Sequence, residues 1–301
     1  MSSKVIAEEI ITRPAKNITC ILAPNPSPMT FKGTNTYIIG DVELAIIDPG
    51  PISDEHLVRI FNVIENRPVK YIFLTHSHID HSPLANQLSK QLSSPTYAYG
   101  ASDSGLSSIM LNLIAEGYES GSEGIDSHFT PKHLVKDGDT FELGDKQISI
   151  IYTPGHMGNH ICLQYDKILF TGDHIMDWAT SMVSPPYGDI TQFLASCRRL
   201  LSENFDVFLP GHGGPVNNPS ERLNFLINHR EERERQILSA IEDISLSATE
   251  ITEIVYTDID NRLISAATRN VFAHLINLNE RGIVRFNGSI SEFSKVKKIG
   301  K

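Results

Sequence analysis

Between Tyr71 and Leu88 the chain reads YIFLTHSHIDHSPLANQL. His76, His78, Asp80 and His81 crowd into six residues directly behind the apolar run Tyr71 to Leu74. That run has the composition of a buried strand, and α/β proteins place their chemistry at the carboxyl ends of such strands. Neutral imidazoles together with a carboxylate suit zinc and other borderline divalent ions. His76 and His78, two residues apart, can face one ion if the turn stays extended. Asp80 and His81 then face a second ion across the turn. Ser82 and Pro83 are expected to open a helix, with Ser82 as N-cap and Pro83 at the first helical position.

The HxHxDH pattern of His76 to His81 resembles the signature of the metallo-β-lactamase superfamily. That resemblance implies three further ligands, each in a short context of its own, and three such contexts follow. Thr153-Pro154-Gly155-His156 ends an apolar strand, and its Pro-Gly turn aims His156 out of the sheet edge as third partner to His76 and His78. Phe170-Thr171-Gly172-Asp173 repeats the arrangement with a carboxylate, whose two oxygens allow Asp173 to bridge two ions. Leu209-Pro210-Gly211-His212-Gly213 repeats it again, and His212 completes the second ion with Asp80 and His81. His160 and His174 lie beside these ligands and are read as supporting or pocket-wall residues; His128, His133, His229 and His274 are read as surface or structural.

The resemblance implies a dinuclear hydrolase holding two Zn²⁺ per chain, with iron or manganese as the alternative metals. Two ions roughly 3.5–4 Å apart acidify a bridging water, and the hydroxide so formed attacks a carbonyl carbon. Asp80 is then both ligand and proton carrier, the one residue expected to be catalytic. Asp48, in the sequence Ile47-Asp48-Pro49-Gly50, is a support beneath the metals on the resemblance, or a turn-forming Asp on its own residues. Two departures stand out. Ser82-Pro83 replaces the Gly-Gly that often follows the signature. Asp173 stands where antibiotic-hydrolysing zinc lactamases of the best-known class carry Cys, which argues against antibiotic hydrolysis.

The elements that must position these residues follow from periodicity. Asn17 to Leu22, Thr36 to Ile39 and Glu43 to Ile47 read as strands, the last two a hairpin through Gly40-Asp41. Ser53 to Ile64 has helical spacing of Leu57, Ile60, Phe61 and Ile64. The metal turn, a helix to Leu92 and a strand at Tyr97 to Tyr99 complete a βαβ pattern. Residues 101–136 lose periodicity around an apolar island, Ile109 to Ile114, and are read as an insertion whose short helix lies over the site. Strands at Thr140 to Leu143, Ile148 to Tyr152, Ile161 to Tyr165 and Ile168 to Phe170 follow, then a helix at Ile190 to Leu201 and a strand at Val207 to Leu209. Two such halves predict an α/β (α+β) fold, the αββα sandwich of the superfamily, over residues 1–218.

Residues 219–301 read as three helices, Ser220 to Ile244, Ser247 to Tyr256 and Ala266 to Glu280, and a hairpin turning at Asn287-Gly288. That order resembles a winged helix, an appendage that some hydrolases of the superfamily carry; one tailed branch acts as an endoribonuclease. From Arg230 to Lys301 the chain has eleven Lys and Arg against eleven Asp and Glu. The neutral balance, and a net charge of −10 overall, disfavour a nucleic-acid partner, which needs a basic face. The tail is expected to pack or to form a homodimer.

At 301 residues, 40 % hydrophobic and 21 % charged, the composition is that of a soluble enzyme with a sizeable core. No run is long enough to span a membrane, and Glu8 and Glu9 break any leader-like start. Cytoplasm, no membrane partner and a small acyl substrate (thioester, lactone or ester) are therefore expected. Endoribonuclease or phosphodiesterase action is the alternative, and oxidation of a persulfide at a single iron another. Cys20, Cys162 and Cys197, odd in number and scattered, read as buried thiols and not as a disulfide frame.

Overall fold

The computed structural model describes residues 10–118, 124–258, 260 and 263–299. Residues 119–123 of the expected insertion lie outside them. Seven strands, β1 (Ile11–Ala15), β2 (Ile18–Leu22), β3 (Asn35–Gly40), β4 (Leu44–Ile47), β5 (Val69–Phe73), β6 (Thr96–Ala98) and β7 (His133–Leu134), form one sheet in sequence order. Five more, β8 (Thr140–Leu143), β9 (Lys146–Tyr152), β10 (Ile161–Tyr165), β11 (Ile168–Gly172) and β12 (Val207–Pro210), form the second. Strands β1 to β4 pair antiparallel. From β4 onward the pairing turns parallel, because helices α1 (Asp54–Ile64) and α2 (Leu84–Leu92) supply the crossovers that parallel strands require. In the second sheet α4 (Ile190–Leu201) does the same between β11 and β12.

The two sheets face each other across one core, where Ile39, Ile47 and Phe73 meet Ile148, Leu163 and Phe170. Their outer faces are covered by helices: Ile60 and Leu88 pack on Ile46 and Ile72, while Phe193, Leu223 and Leu226 pack on Leu169 and Phe208. This is the expected αββα sandwich. Strand β4 is buried along its whole length, which is why Leu-Ala-Ile-Ile shows no alternation of polar and apolar residues. All three cysteines are buried and free, as read from their spacing.

The rest of the chain is α3 (Ser108–Ala115), α5 (Pro219–Ala240), α6 (Ala248–Val255), α7 (Ile264–Glu280) and the antiparallel pair β13 (Val284–Phe286) and β14 (Val296–Lys298). Helices α5 to α7 and the ribbon make the winged helix. Its wing is residues 287–295, so Asn287-Gly288 starts a long loop and is not a tight hairpin turn. The expected boundary at residue 218 falls at the start of α5, and that helix serves two cores. Leu223, Leu226 and Ile227 belong to the core of the sandwich, whereas Ile237 packs with Ile251, Phe272 and Leu275 of the tail.

Three local expectations change. Strand β1 precedes the expected first strand; it contains Pro14 and shifts register before Ala15, as an edge strand can. Ser82 does not cap α2, whose N-cap is Pro83 with no side-chain hydrogen bond. The Ser82 hydroxyl instead lies 2.6 Å from Asp126 Oδ2 and ties the metal turn to the 124–126 segment. Finally, α3 buries Met110 and Leu113 in the tail core, so the apolar island docks the winged helix; of this segment's described residues, Gly124 alone lines the cavity over the site.

Candidate metal centre

Four strand ends converge at one rim of the sandwich. The loop after β5 brings His76, His78, Asp80 and His81; the loop after β9 brings His156; β11 ends before Asp173 and β12 before His212. The side chains sort into two groups that share Asp173: His76, His78, His156, Asp173, and Asp80, His81, Asp173, His212. Within each group all the candidate ligand atoms lie within 4.8 Å of one another. In the first, His78 Nδ1 is 2.9 Å from His76 Nε2 and 3.0 Å from His156 Nε2. In the second, His212 Nε2 is 3.1 Å from Asp80 Oδ2 and 3.3 Å from Asp173 Oδ1. The other Asp173 oxygen, Oδ2, faces His156 Nε2 at 3.7 Å. One carboxylate thus offers one oxygen to each group.

The outer nitrogens decide what the inner ones offer. His81 Nδ1 is 2.9 Å from Asp48 Oδ2, His156 Nδ1 is 2.7 Å from Met182 O and His212 Nδ1 is 3.1 Å from Gly33 O. Each acceptor needs a proton on Nδ1, so the neutral imidazole turns an Nε2 lone pair inward. His76 is set by a relay. The Thr75 hydroxyl donates to Asp48 Oδ2 at 2.7 Å and so accepts from His76 Nδ1 at 2.9 Å. Four imidazole lone pairs and two carboxylates then point at common centres with few donors between them. That donor set fits divalent cations, and backbone or carboxylate partners on the outer nitrogen are how ligating histidines are held.

Electrostatics agree with that set at the first group. Burial drives His76, His78 and His156 toward the neutral, ligating form, His78 down to about 3. Burial would raise Asp173 and Asp80, but facing imidazoles hold both carboxylates well below their usual range. His81 and His212 go the other way. Burial opposes their charge, yet Asp80 and Asp173 beside them raise both, His212 to about 9. Protons held there occupy positions from which an entering cation would displace them.

The elements around the centre account for residues the sequence left without a role. Asn35 Nδ2 donates to Pro210 O and Gly213 O at 3.0 and 2.9 Å, and Tyr37 Oη donates to Pro210 O, so β3 fixes the loop bearing His212. Asn159 Nδ2 reaches Ser77 Oγ at 2.9 Å and fixes the metal turn. Asp48, of two readings in the sequence, is the support: Thr75 N donates to its Oδ1 at 2.8 Å while Oδ2 takes the Thr75 hydroxyl and His81.

Residues 29–212 match the family model of the metallo-beta-lactamase superfamily, and residues 247–293 that of the beta-lactamase associated winged helix domain. The chain belongs to the metallo-beta-lactamase superfamily. It is 28 % identical to the Drosophila melanogaster protein named Beta-lactamase-like protein 2 homolog, over 94 % of each chain. An Aspergillus fumigatus protein named Atrochrysone carboxyl ACP thioesterase is 27 % identical over 74 % of this chain and 64 % of its own length. Among solved structures, a beta-lactamase domain protein from Burkholderia ambifaria superposes with a TM-score of 0.78 at 21 % identity, covering 96 % of this chain and 93 % of that one.

The remaining histidines of this superfamily member separate cleanly. His160 lies behind His76 with ring centroids 5.2 Å apart, its Nδ1 at Thr153 Oγ1, and belongs to neither group. His174 is buried against Phe193 and the Cys197 thiol and does not line the cavity. His128 and His133 are exposed, and His274 is buried in the tail. His229, expected at the surface or in a structural role, is half-buried and lines the cavity. That cavity, of about 510 Å³, opens on His78, Asp80, His156 and Asp173 and runs to the winged helix. Among the described residues no helix is long and apolar enough to cross a membrane.

Proposed function

We propose that this protein is a dinuclear zinc hydrolase acting on a small acyl thioester. His76, His78 and His156 would hold one ion, Asp80, His81 and His212 the other, with Asp173 shared. The observation that carries this reading is the disposition of Asp173, one oxygen toward each histidine group. Both groups being complete favours two ions over the single iron of a persulfide oxygenase. Bound zinc would supply a water acidified toward neutrality and a Lewis acid for the carbonyl oxygen.

The protein's own residues do the rest. Asp80 keeps 22 % of its side chain exposed and lines the cavity, so it can accept a proton from the reacting water and return it to the leaving group. Met29, Met176, Trp178 and Met182 give the cavity apolar walls that hold an acyl chain and exclude bulk water. The thioesterase name of the Aspergillus relative supports a thioester among acyl substrates. The winged-helix match keeps RNA as the second reading.

The test is elemental analysis of the full chain as purified, then turnover by the zinc-loaded chain on acyl thioesters, lactones and esters beside labelled single-stranded RNA. Expected are two zinc ions per chain, thioester hydrolysis, and a loss of about 10²- to 10⁴-fold in kcat for Asp80→Ala. One tightly bound iron and no zinc, or RNA cleavage without acyl hydrolysis, would overturn the reading.

A further inference from the structure

Helix α5 carries nearly balanced charge but sorts it by face. Glu231, Glu232 and Glu234 pair with Arg198, Arg235 and Arg281 at 3.0, 2.6 and 2.6 Å. Arg230 and Arg233, which line the cavity, have no carboxylate within 4 Å among the described residues. Among the described residues no Asp or Glu lines the cavity beyond Asp80 and Asp173 at the metal end. In a chain of net charge −10, a cationic cavity end without carboxylate partners is a departure that favours a bound anion.

The two arginines differ in what they can still donate. Arg230, 2 % exposed, has Nη1 on Asn270 Oδ1 at 2.9 Å and Nη2 on Ser181 O, so it supplies fixed charge. Arg233 is half-buried, stacked over the Tyr256 ring at 3.9 Å, and commits only Nη1, to Val255 O. Its buried Nε, like that of Arg230 and like His229 Nδ1, has no partner. A stacked guanidinium with uncommitted donors is preorganised for a carboxylate or phosphate. Between this end and the metal end the walls are apolar, and one contacting arginine suits one anionic group and not a polymer of phosphates.

We infer that Arg233, backed by Arg230 and His229, is an anion subsite that selects acyl thioesters carrying a carboxylate or phosphate at the end remote from the scissile carbonyl. This rests on the thioesterase reading above. The anion sits either on the acyl side or on the thiol side. Two matched pairs separate these: S-glutaryl against S-pentanoyl N-acetylcysteamine, and S-pentanoyl pantetheine 4′-phosphate against S-pentanoyl pantetheine. In the wild-type full chain one pair should show kcat/KM about 10- to 100-fold higher for the anionic member. Arg233→Met should bring that ratio near one with the neutral substrate within about twofold, and Arg233→Lys should keep part of it; unchanged melting temperatures exclude a folding defect. Ratios near one in the wild type, or a ratio that survives Arg233→Met, overturn the subsite.

Equilibrium binding of pantetheine 4′-phosphate against pantetheine, and of N-ethylglutaramate against neutral N-ethylpentanamide, reads the subsite without turnover. A preference lost in Arg233→Met with no thioester hydrolysed would sink the thioesterase reading and keep the subsite. No preference in binding or turnover would sink the subsite alone. Labelled RNA cut by the wild type but not by Arg233→Met, with thioesters ignored, would overturn the small-anion assignment.

Discussion

Asp48 receives three hydrogen bonds, from Thr75 N, the Thr75 hydroxyl and His81 Nδ1, and through them sets the tautomers of His81 and His76. Its backbone lies at φ 49°, a region Asn also tolerates, so Asp48→Asn tests the carboxylate and not the turn. An amide must turn its NH₂ toward one of three donors. Zinc affinity should fall about 10- to 100-fold, as when other supports of metal ligands are removed, while circular dichroism stays native. His160→Ala is the contrast, because His160 belongs to neither group: two zinc ions per chain should remain. Competition with a chelator measures both, and equal losses in the two variants would show that the outer supports are wrongly assigned. At this scale the seven converging residues were legible because four candidate ligands within six positions have no ordinary loop explanation. Thr75 was not, since a threonine beside a histidine is unremarkable until the Asp48 relay is seen.

At the scale of elements, the candidate ligands are placed by strand ends that approach so closely that side chains must be absent. A Cβ on Gly211 would lie 2.5 Å from Asp173 Oδ1 and 2.7 Å from His81 Cε1. Gly211 does not sit at positive φ, so Gly211→Ala keeps an ordinary backbone conformation and pushes on His81 and on the Asp173 oxygen that faces the second group. The expected result is a fall from two zinc ions per chain toward one, with little change in melting temperature. A variant that kept two tightly bound ions would show that the loop after β12 has room the geometry denies. The sequence showed Gly before each downstream ligand but could not say whether the glycine serves a turn or a close approach. Strand β1 escaped for another reason: Arg13 and Pro14 in Ile11–Ala15 are acceptable on an edge and look unlike a strand. The cationic face of α5 escaped because counting charges along a segment hides how packing divides them between faces.

The whole molecule depends on α5, which is where the expected two-domain division meets its physical cost. Leu223, Leu226 and Ile227 cover Phe193, Leu200 and Phe208 of the sandwich, although they lie beyond residue 218. Each such buried side chain is worth about 1.5–3 kcal/mol, so a chain ending at Asn218 forgoes roughly 5–9 kcal/mol from these three alone. That is comparable with the whole stability of an ordinary domain, about 5–15 kcal/mol. It also exposes the apolar face of α4 and removes the cavity wall that carries Arg230, Arg233 and Tyr256. The truncated protein should therefore be recovered aggregated, or as a compact form that binds hydrophobic dye and melts without cooperativity. Extending the chain to Ile244 restores α5 and the three leucine and isoleucine contacts, but leaves Ile237 and Ile241 without Ile251, Phe272 and Leu275. It should be more soluble than the shorter chain and less stable than the full one. A monodisperse, cooperatively melting protein ending at Asn218 would show that the sandwich stands without α5, and that the winged helix is an appendage and not part of its core.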